Sequence, residues 1–165
     1  MVTDSQPTSR PKPSPRRRAA LPIADCPMAA AVAIIGDRWS LLILREAFYG
    51  VVRHADIRDD LGIPRSVLSD RLSKLVEQGL LTKSEYREEG ARPRQAYKLA
   101  PKGRGMVLTF IALTQWGSEH CLDGDSPVEV IDKETGGQLR LSLINENDAP
   151  VAASRAALQV HDPGD

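Results

Sequence analysis

The stretch Gly62–Leu81, GIPRSVLSDRLSKLVEQGLL, decides the fold. Leu68, Leu72, Leu75 and Val76 recur at spacings of three and four, which places them on one face of a helix. Pro64 suits the first turn, where its missing N–H is no loss, and Gly79 supplies the stop. The other face is unusual. A helix that only has to be wet on one side fills it with Glu, Lys, Gln and Ala. Here it carries Ser66, Ser69 and Ser73 beside Arg65 and Arg71. Serine is a poorer helix former, because its hydroxyl competes for backbone hydrogen bonds. Helicity alone does not explain such a face.

Upstream, Pro27 opens a first helix that runs to Ile35 and stops at Gly36. Asp37 can cap a second helix reaching about Tyr49, apolar at Trp39, Leu42, Ile43 and Phe48. A short extended piece, Val51–Arg53, leads to a small helix near His54–Leu61, stopped by Gly62. Downstream the period changes. Leu80–Tyr86 and Gln95–Leu99 read as two strands, joined by REEGARPR with its Arg87, Arg92 and Arg94. Pro101 starts a fifth helix to about Cys121, apolar around more than one face and so expected to be buried on two sides.

These elements divide the chain into three parts. Residues 1–21, rich in Pro, Ser, Thr and Arg, read as a disordered basic arm. Residues 22–121 form the helical domain. Residues 122–165 form an extension in which Val128, Val130, Leu139, Leu141 and Leu143 alternate with polar residues around Glu134–Gly137. That pattern predicts a β-hairpin, followed by a weak helix or frayed tail over Ala152–Val160.

The formal net charge is zero, but it is unevenly spread. Residues 1–20 hold five Lys/Arg against one Asp/Glu, and residues 45–110 hold thirteen against nine. Residues 119–165 hold three against ten, so an acidic end masks a basic body. Aromatic residues make up 4%, too few for a platform that stacks single-stranded bases. Cys26 and Cys121 lie far apart and match no disulfide framework or zinc spacing, and the three His residues form no cluster. A reducing cytoplasm, no metal and no cofactor are expected. RRRAALPIADCPMAAAVAIIG resembles an exported leader, but Pro22, Asp25 and Pro27 interrupt its apolar run. Met28–Ile35 is far short of a membrane span, so no membrane partner is expected.

Two short helices, a longer one, then a two-stranded ribbon with an Arg-rich tip is the order of a winged helix-turn-helix. The major groove of DNA admits one helix, provided its polar side can come close. Small hydroxyls permit that approach, while arginine adds charge and bidentate contacts to guanine. The expected DNA-facing set is Arg65, Ser66, Ser69, Asp70, Arg71, Ser73 and Lys74, with Arg87, Arg92 and Arg94 on the ribbon. Arg71 lies nearer the flank, where it would meet phosphate. Asp70 is the awkward member: a carboxylate near phosphate is repelled unless it pairs with an arginine or reads a cytosine amino group.

Ordered motifs then carry a resemblance. The Cys26-Pro27 start, GDRWSLLILRE from Gly36, SVLSDRLSKL from Ser66, the Gly79-Leu80-Leu81 triplet, YKLAPKG from Tyr97 and the final Trp116-Gly117 stand in register. Over about Cys26–His120 the chain resembles the HxlR-type winged-helix transcriptional regulators, bacterial relatives of the MarR-like repressors. It departs at His54, where an aromatic more usually follows the basic residue, and at Ala100, where Thr is common. The resemblance implies a mainly α fold with a small β-wing (α+β), dimerising through the first and last helices, here Met28, Val32, Phe110, Leu113 and Trp116. It implies a homodimeric, nucleoid-associated repressor on two-fold double-stranded operator DNA, with any small-molecule effector unidentified.

Cys26 matches a position that senses oxidants or electrophiles in some of those regulators. A helix N-terminus favours thiolate there, whereas neighbouring Asp25 opposes it; a structural cysteine fits the position equally well. A winged-helix adaptor that binds a protein partner rather than specific DNA is the alternative function. No nucleophile with a base, phosphate cradle or metal cluster points to an enzyme.

Overall fold

The computed structural model describes residues 21–87, 90, 92–122 and 125–160. All but the last residue of the basic arm expected over 1–21 lies outside the described residues. The elements follow in the order α1 (Pro27–Ile35), α2 (Arg38–Phe48), α3 (His54–Leu61), α4 (Arg65–Glu77), β1 (Leu81–Tyr86), β2 (Arg94–Leu99), α5 (Pro101–Arg104) and α6 (Val107–Cys121). Two short strands, β3 (Leu143–Ile144) and β4 (Pro150–Val151), and a 3₁₀ turn, Ala153–Arg155, close the described chain. Mostly helical with one small antiparallel wing, this is the winged helix-turn-helix architecture anticipated from the sequence.

The core gathers where α2, α3 and α4 meet the wing. Ile43 and Leu44 of α2, Ile57 of α3 and Leu68, Leu72 and Leu75 of α4 are buried together with Ile63, Leu80, Leu81 and Tyr97. Removing each aliphatic side chain from water stabilises the fold by about 1.5–3 kcal/mol. The leucine stripe of α4 is thus the inner face, with Val76 partly buried at its edge. Gly79, just past the helix, adopts φ +71, a left-handed conformation that a side chain resists.

β1 and β2 pair antiparallel in register from Leu81↔Leu99 to Tyr86↔Arg94. The extended piece before α3 joins their edge: the Tyr97 N–H donates to the Val52 carbonyl at 2.7 Å, and Arg53 bridges Ala96. This ties α3 to the wing.

The single fifth helix expected from Pro101 to Cys121 is two helices. Gly103 and Gly105 weaken the helix at the break, and the Met106 N–H turns back to the Gly103 carbonyl. Gly103 also explains itself. A Cβ there would lie 2.2 Å from the Leu80 carbonyl oxygen, which accepts from Ala100 N–H at 2.9 Å. Lys102 Nζ donates to the Gln78 carbonyl at 2.9 Å, placing a cation at the C-terminus of α4.

The expected hairpin around Glu134–Gly137 forms but is short: the Asp132 N–H donates to the Gly137 carbonyl at 2.8 Å and the Leu139 N–H to the Val130 carbonyl at 2.7 Å. Asp132 accepts from Glu134 N–H and Thr135 hydroxyl, and a single bridge joins Ile131 and Gln138. Leu139, Leu141 and Leu143 remain about half exposed, although Val128, Val130, Leu139 and Leu141 line a cavity with Thr114, Gln115 and Ser118 of α6, and the Leu141 N–H donates to Gln115 Oε1 at 3.1 Å. A second antiparallel pairing follows downstream, Leu143↔Val151. Over Ala152–Val160 only Ala153–Arg155 is helical, and as 3₁₀. Among the described residues no single helix is long and apolar enough to cross a membrane.

Gly103→Ala must push α5 away from Leu80. We expect a loss of about 1–3 kcal/mol in unfolding free energy, the usual cost of overpacking, read by urea denaturation; an unchanged midpoint would show that the contact yields freely.

Candidate nucleic-acid interface

Because the leucines of α4 are sealed inward, its remaining residues must project outward. Arg65, Ser66, Ser69, Asp70, Ser73 and Lys74 are exposed and Arg71 is intermediate. They do not form one uniform surface.

The N-terminal part of α4 opens a cleft of about 510 Å³ against α3 and the wing. Arg65 and Ser69 line it from α4, His54, Ala55 and Arg58 from α3, and Tyr86, Arg94, Gln95 and Tyr97 from the ribbon. The Ser69 hydroxyl lies 3.2 Å from His54 Nε2. Burial first, then Arg65 and Arg58, hold the His54 imidazolium below its ordinary pKa, so the ring favours its neutral form. Burial also pushes the Tyr97 phenol up, which keeps it a hydrogen-bond donor. The Arg53 guanidinium sits 4.9 Å above the Tyr86 ring. Arg94 enters the cleft from the first residue of β2, whereas Arg87 and Arg92 lie exposed near the ribbon tip.

Further along α4 the charges are engaged within the protein. Asp70 meets both Arg71 and Lys74 at 3.2 Å, which resolves its awkward position by internal pairing. Arg71 Nε lies 3.1 Å from Asp37 Oδ1, so this arginine leans toward the start of α2. Ser73 turns its hydroxyl back to the Ser69 carbonyl at 2.9 Å, one helical turn earlier. Asp37 is a full helix cap, accepting from Trp39 N–H, Ser40 N–H and the Ser40 hydroxyl. Burial works against its charge, but the Ser40 hydrogen bonds, Arg71 and the Trp39 N–H outweigh it and hold the carboxyl below its ordinary range.

A recognition helix seated on a sealed leucine stripe, beside a wing whose arginine closes a basic cleft, is now in place. A profile of the HxlR-like helix-turn-helix family matches residues 34–125. The chain belongs to that family. An uncharacterized HTH-type transcriptional regulator of Mycobacterium bovis is 40% identical over 108 residues, 66% of this chain and 67% of its own. A second such regulator, from Synechocystis, is 34% identical over 57% of this chain and 69% of its own. Among solved structures, the candidate transcription factor PA1607 superposes with a TM-score of 0.72 at 32% identity, covering 82% of this chain and 95% of that one.

In this HxlR-family chain the apolar surface lies on α1 and α6. Met28 and Val32 of α1 and Leu113 and Trp116 of α6 are exposed. Phe110, expected with them, turns inward and is partly buried, its ring 4.6 Å from Phe48. Cys26 caps the N-terminus of α1 and is partly exposed; Cys121, at the end of α6, is exposed, and both are free thiols. Among the described residues, no group of three His, Cys, Asp or Glu side chains could hold a metal ion.

Sequence reasoning did not include His54, Arg58 and Tyr86 in the interface. Only His54 left a signal, as a departure from the family pattern. Their proximity to Arg65 depends on how α3 packs against the wing, which periodicity does not encode.

The linkage of Asp37 to Arg71 makes a direct prediction. Asp37→Ala should lower stability by about 1–2 kcal/mol at neutral pH. Because the folded-state pKa is depressed, this contribution is present above the ordinary carboxylate pKa and is lost as pH falls through the lower folded value. Acid titration of unfolding should therefore bring wild type and variant together at low pH. A gap of the same size at every pH would remove the charge of Asp37 from the account.

Proposed function

We propose that this protein is a repressor that binds a two-fold DNA operator as a homodimer, acting in the cytoplasm on the nucleoid. The supporting observation is the exposed N-terminal face of α4, Arg65, Ser66 and Ser69, held rigidly outward by Leu68, Leu72 and Leu75. Docked in a major groove, that end reaches base edges first, and Arg65 is the side chain able to contact guanine bidentately. Arg87, Arg92 and Arg94 run along the adjacent backbone. Asp70, Arg71 and Lys74 contribute through their mutual pairing, with Arg71 orienting α4 against α2, and Ser73 adds a small side chain that lets the backbone approach.

One such helix reads too few bases for useful selectivity, and a second copy doubles the site. Met28, Val32, Leu113 and Trp116 offer an apolar surface on which two copies can close, with Phe110 supporting it from beneath. The operator is found by selecting bound genomic fragments with purified protein. On a selected fragment, Arg65→Ala should weaken binding by about 1–3 kcal/mol, while Glu77→Ala changes it little. Wild-type affinity should fall steeply with salt yet keep its preference over random DNA. Equal effects from both substitutions would place the contact face elsewhere; no preference at all would favour a protein-binding adaptor.

Cys26 is the proposed site of regulation by oxidants or electrophiles. Its thiol lies at a helix N-terminus and is partly accessible, so modification there acts on α1 and, through it, on the dimer surface. Treatment with diamide should lower operator affinity in wild type and leave Cys26→Ser unchanged. A loss of equal size in Cys26→Ser would exclude the thiol.

A further inference from the structure

The cleft between α3, α4 and the wing has a composition that the base-reading role of α4 does not require. Its described lining holds three arginines and a histidine, with two tyrosines, a serine and a glutamine, and no carboxylate. Cations come from three separate elements: Arg58 from α3, Arg65 from α4 and Arg94 from β2. Three like charges around one open cleft repel one another unless an anion sits between them. Arg58 is partly compensated by Asp59 at 2.7 Å, and both groups are exposed.

We propose that this cleft seats a backbone phosphodiester of the bound DNA, and that His54, taking up a proton as the phosphate arrives, becomes its charged donor. The inference rests on the DNA-binding reading above and adds a defined contact and a proton linkage to it.

The chemistry follows from the groups that surround the ring. On its own helix His54 faces Arg58; α4 brings Arg65 and Ser69; β1 brings Tyr86, with Arg53 stacked on it; β2 brings Arg94, Gln95 and Tyr97. In the free protein partial burial, and then the neighbouring Arg65 and Arg58 charges, disfavour the imidazolium. A phosphate neutralises the arginines and gives the ring N–H an anionic acceptor, and this charge-assisted bond outweighs the burial. The proton comes from solvent, and no covalent bond changes. His54 occupies the first turn of α3, whose N-terminal dipole also favours the anion. Ser69, 3.2 Å from Nε2, orients the ring from the recognition helix, so the phosphate seat and the base-reading face share one side chain.

The sign of the linkage is fixed. A group whose pKa is higher in the complex takes up protons on binding, so affinity rises as pH falls toward and through the ordinary histidine range. The ceiling is about tenfold per pH unit for one linked proton. Because the contact is to the backbone, the effect is independent of sequence.

The test uses the full-length protein with two probes, a random-sequence duplex and a selected genomic fragment, at constant ionic strength. Binding is followed from pH 8 to pH 6, and the His54 imidazole is titrated by NMR with and without the duplex. Wild type should bind both duplexes more tightly as pH falls, and the His54 midpoint should move up when DNA is bound. His54→Asn should flatten the pH dependence on both probes, while His120→Asn keeps it. Arg94→Ala should reduce the slope of log affinity against log salt by about one contact. An unmoved His54 midpoint in a complex that still forms overturns this inference and leaves DNA binding standing. Failure of wild type to bind either duplex overturns both. Inorganic phosphate is the third probe: if it shifts His54 where DNA does not, the cleft is a small-anion site and the backbone assignment is wrong.

Discussion

The burial of Leu68, Leu72 and Leu75 against Ile43, Leu44 and Ile57 is the constraint on which the remaining structure depends. Each leucine is removed almost completely from water, so α4 cannot rotate without exposing apolar surface at about 25 cal/mol per Å². That locks the azimuth of the helix. Arg65, Ser66 and Ser69 project because there is nowhere else for them to go, and this exposed face gains its rigidity from a purely apolar cause.

A second layer of control is electrostatic and acts at the edges of that packing. Asp37 begins α2, caps it with its own carboxylate and reaches Arg71 on α4. Arg71 in turn meets Asp70, which meets Lys74. A charge relay of this kind fixes the crossing of the two helices better than apolar contact, which is non-directional. It also sorts the basic residues of α4. Those toward the C-terminal end are engaged with carboxylates of the protein, and Arg65 stands at the N-terminal end facing an arginine- and histidine-lined cleft. Asp70 of α4 and Asp37 before α2 therefore hold Arg71 and Lys74 in internal pairs, while Arg65 is left to the cleft.

Much of this was legible in the chain. The 3-4 spacing of the α4 leucines, the Asp37 cap, the glycine stops and the switch to a strand pattern after Gly79 each follow from local chemistry, and they gave the elements and their order. Three places depended on more than local chemistry. The break between α5 and α6 falls at Gly105 and Met106, just after Gly103 packs α5 on the Leu80 carbonyl, a contact between residues far apart in sequence. The hairpin near Glu134–Gly137 forms as read from alternation but stays short, and its place against Gln115 of α6 is a tertiary contact that alternation does not encode. Phe110 shares its helix with Leu113 and Trp116 yet is partly buried, its ring 4.6 Å from Phe48.

The sequence by itself determined which helix reads outward, because a stripe of apolar residues at helical spacing leaves one polar face and serine marks it as unusual. It also determined the family, through motifs in register over most of the domain. Only the tertiary structure decided how that face divides. Arg65 and Arg71 look alike in sequence, six residues apart on the same helix. One lines a cleft with His54, Arg58 and Arg94, and the other leans on Asp37, because α3 and the wing pack beside the first turn of α4 while α2 begins beside its middle. Partners so distant along the chain are brought together by packing, and packing is a property of the whole fold.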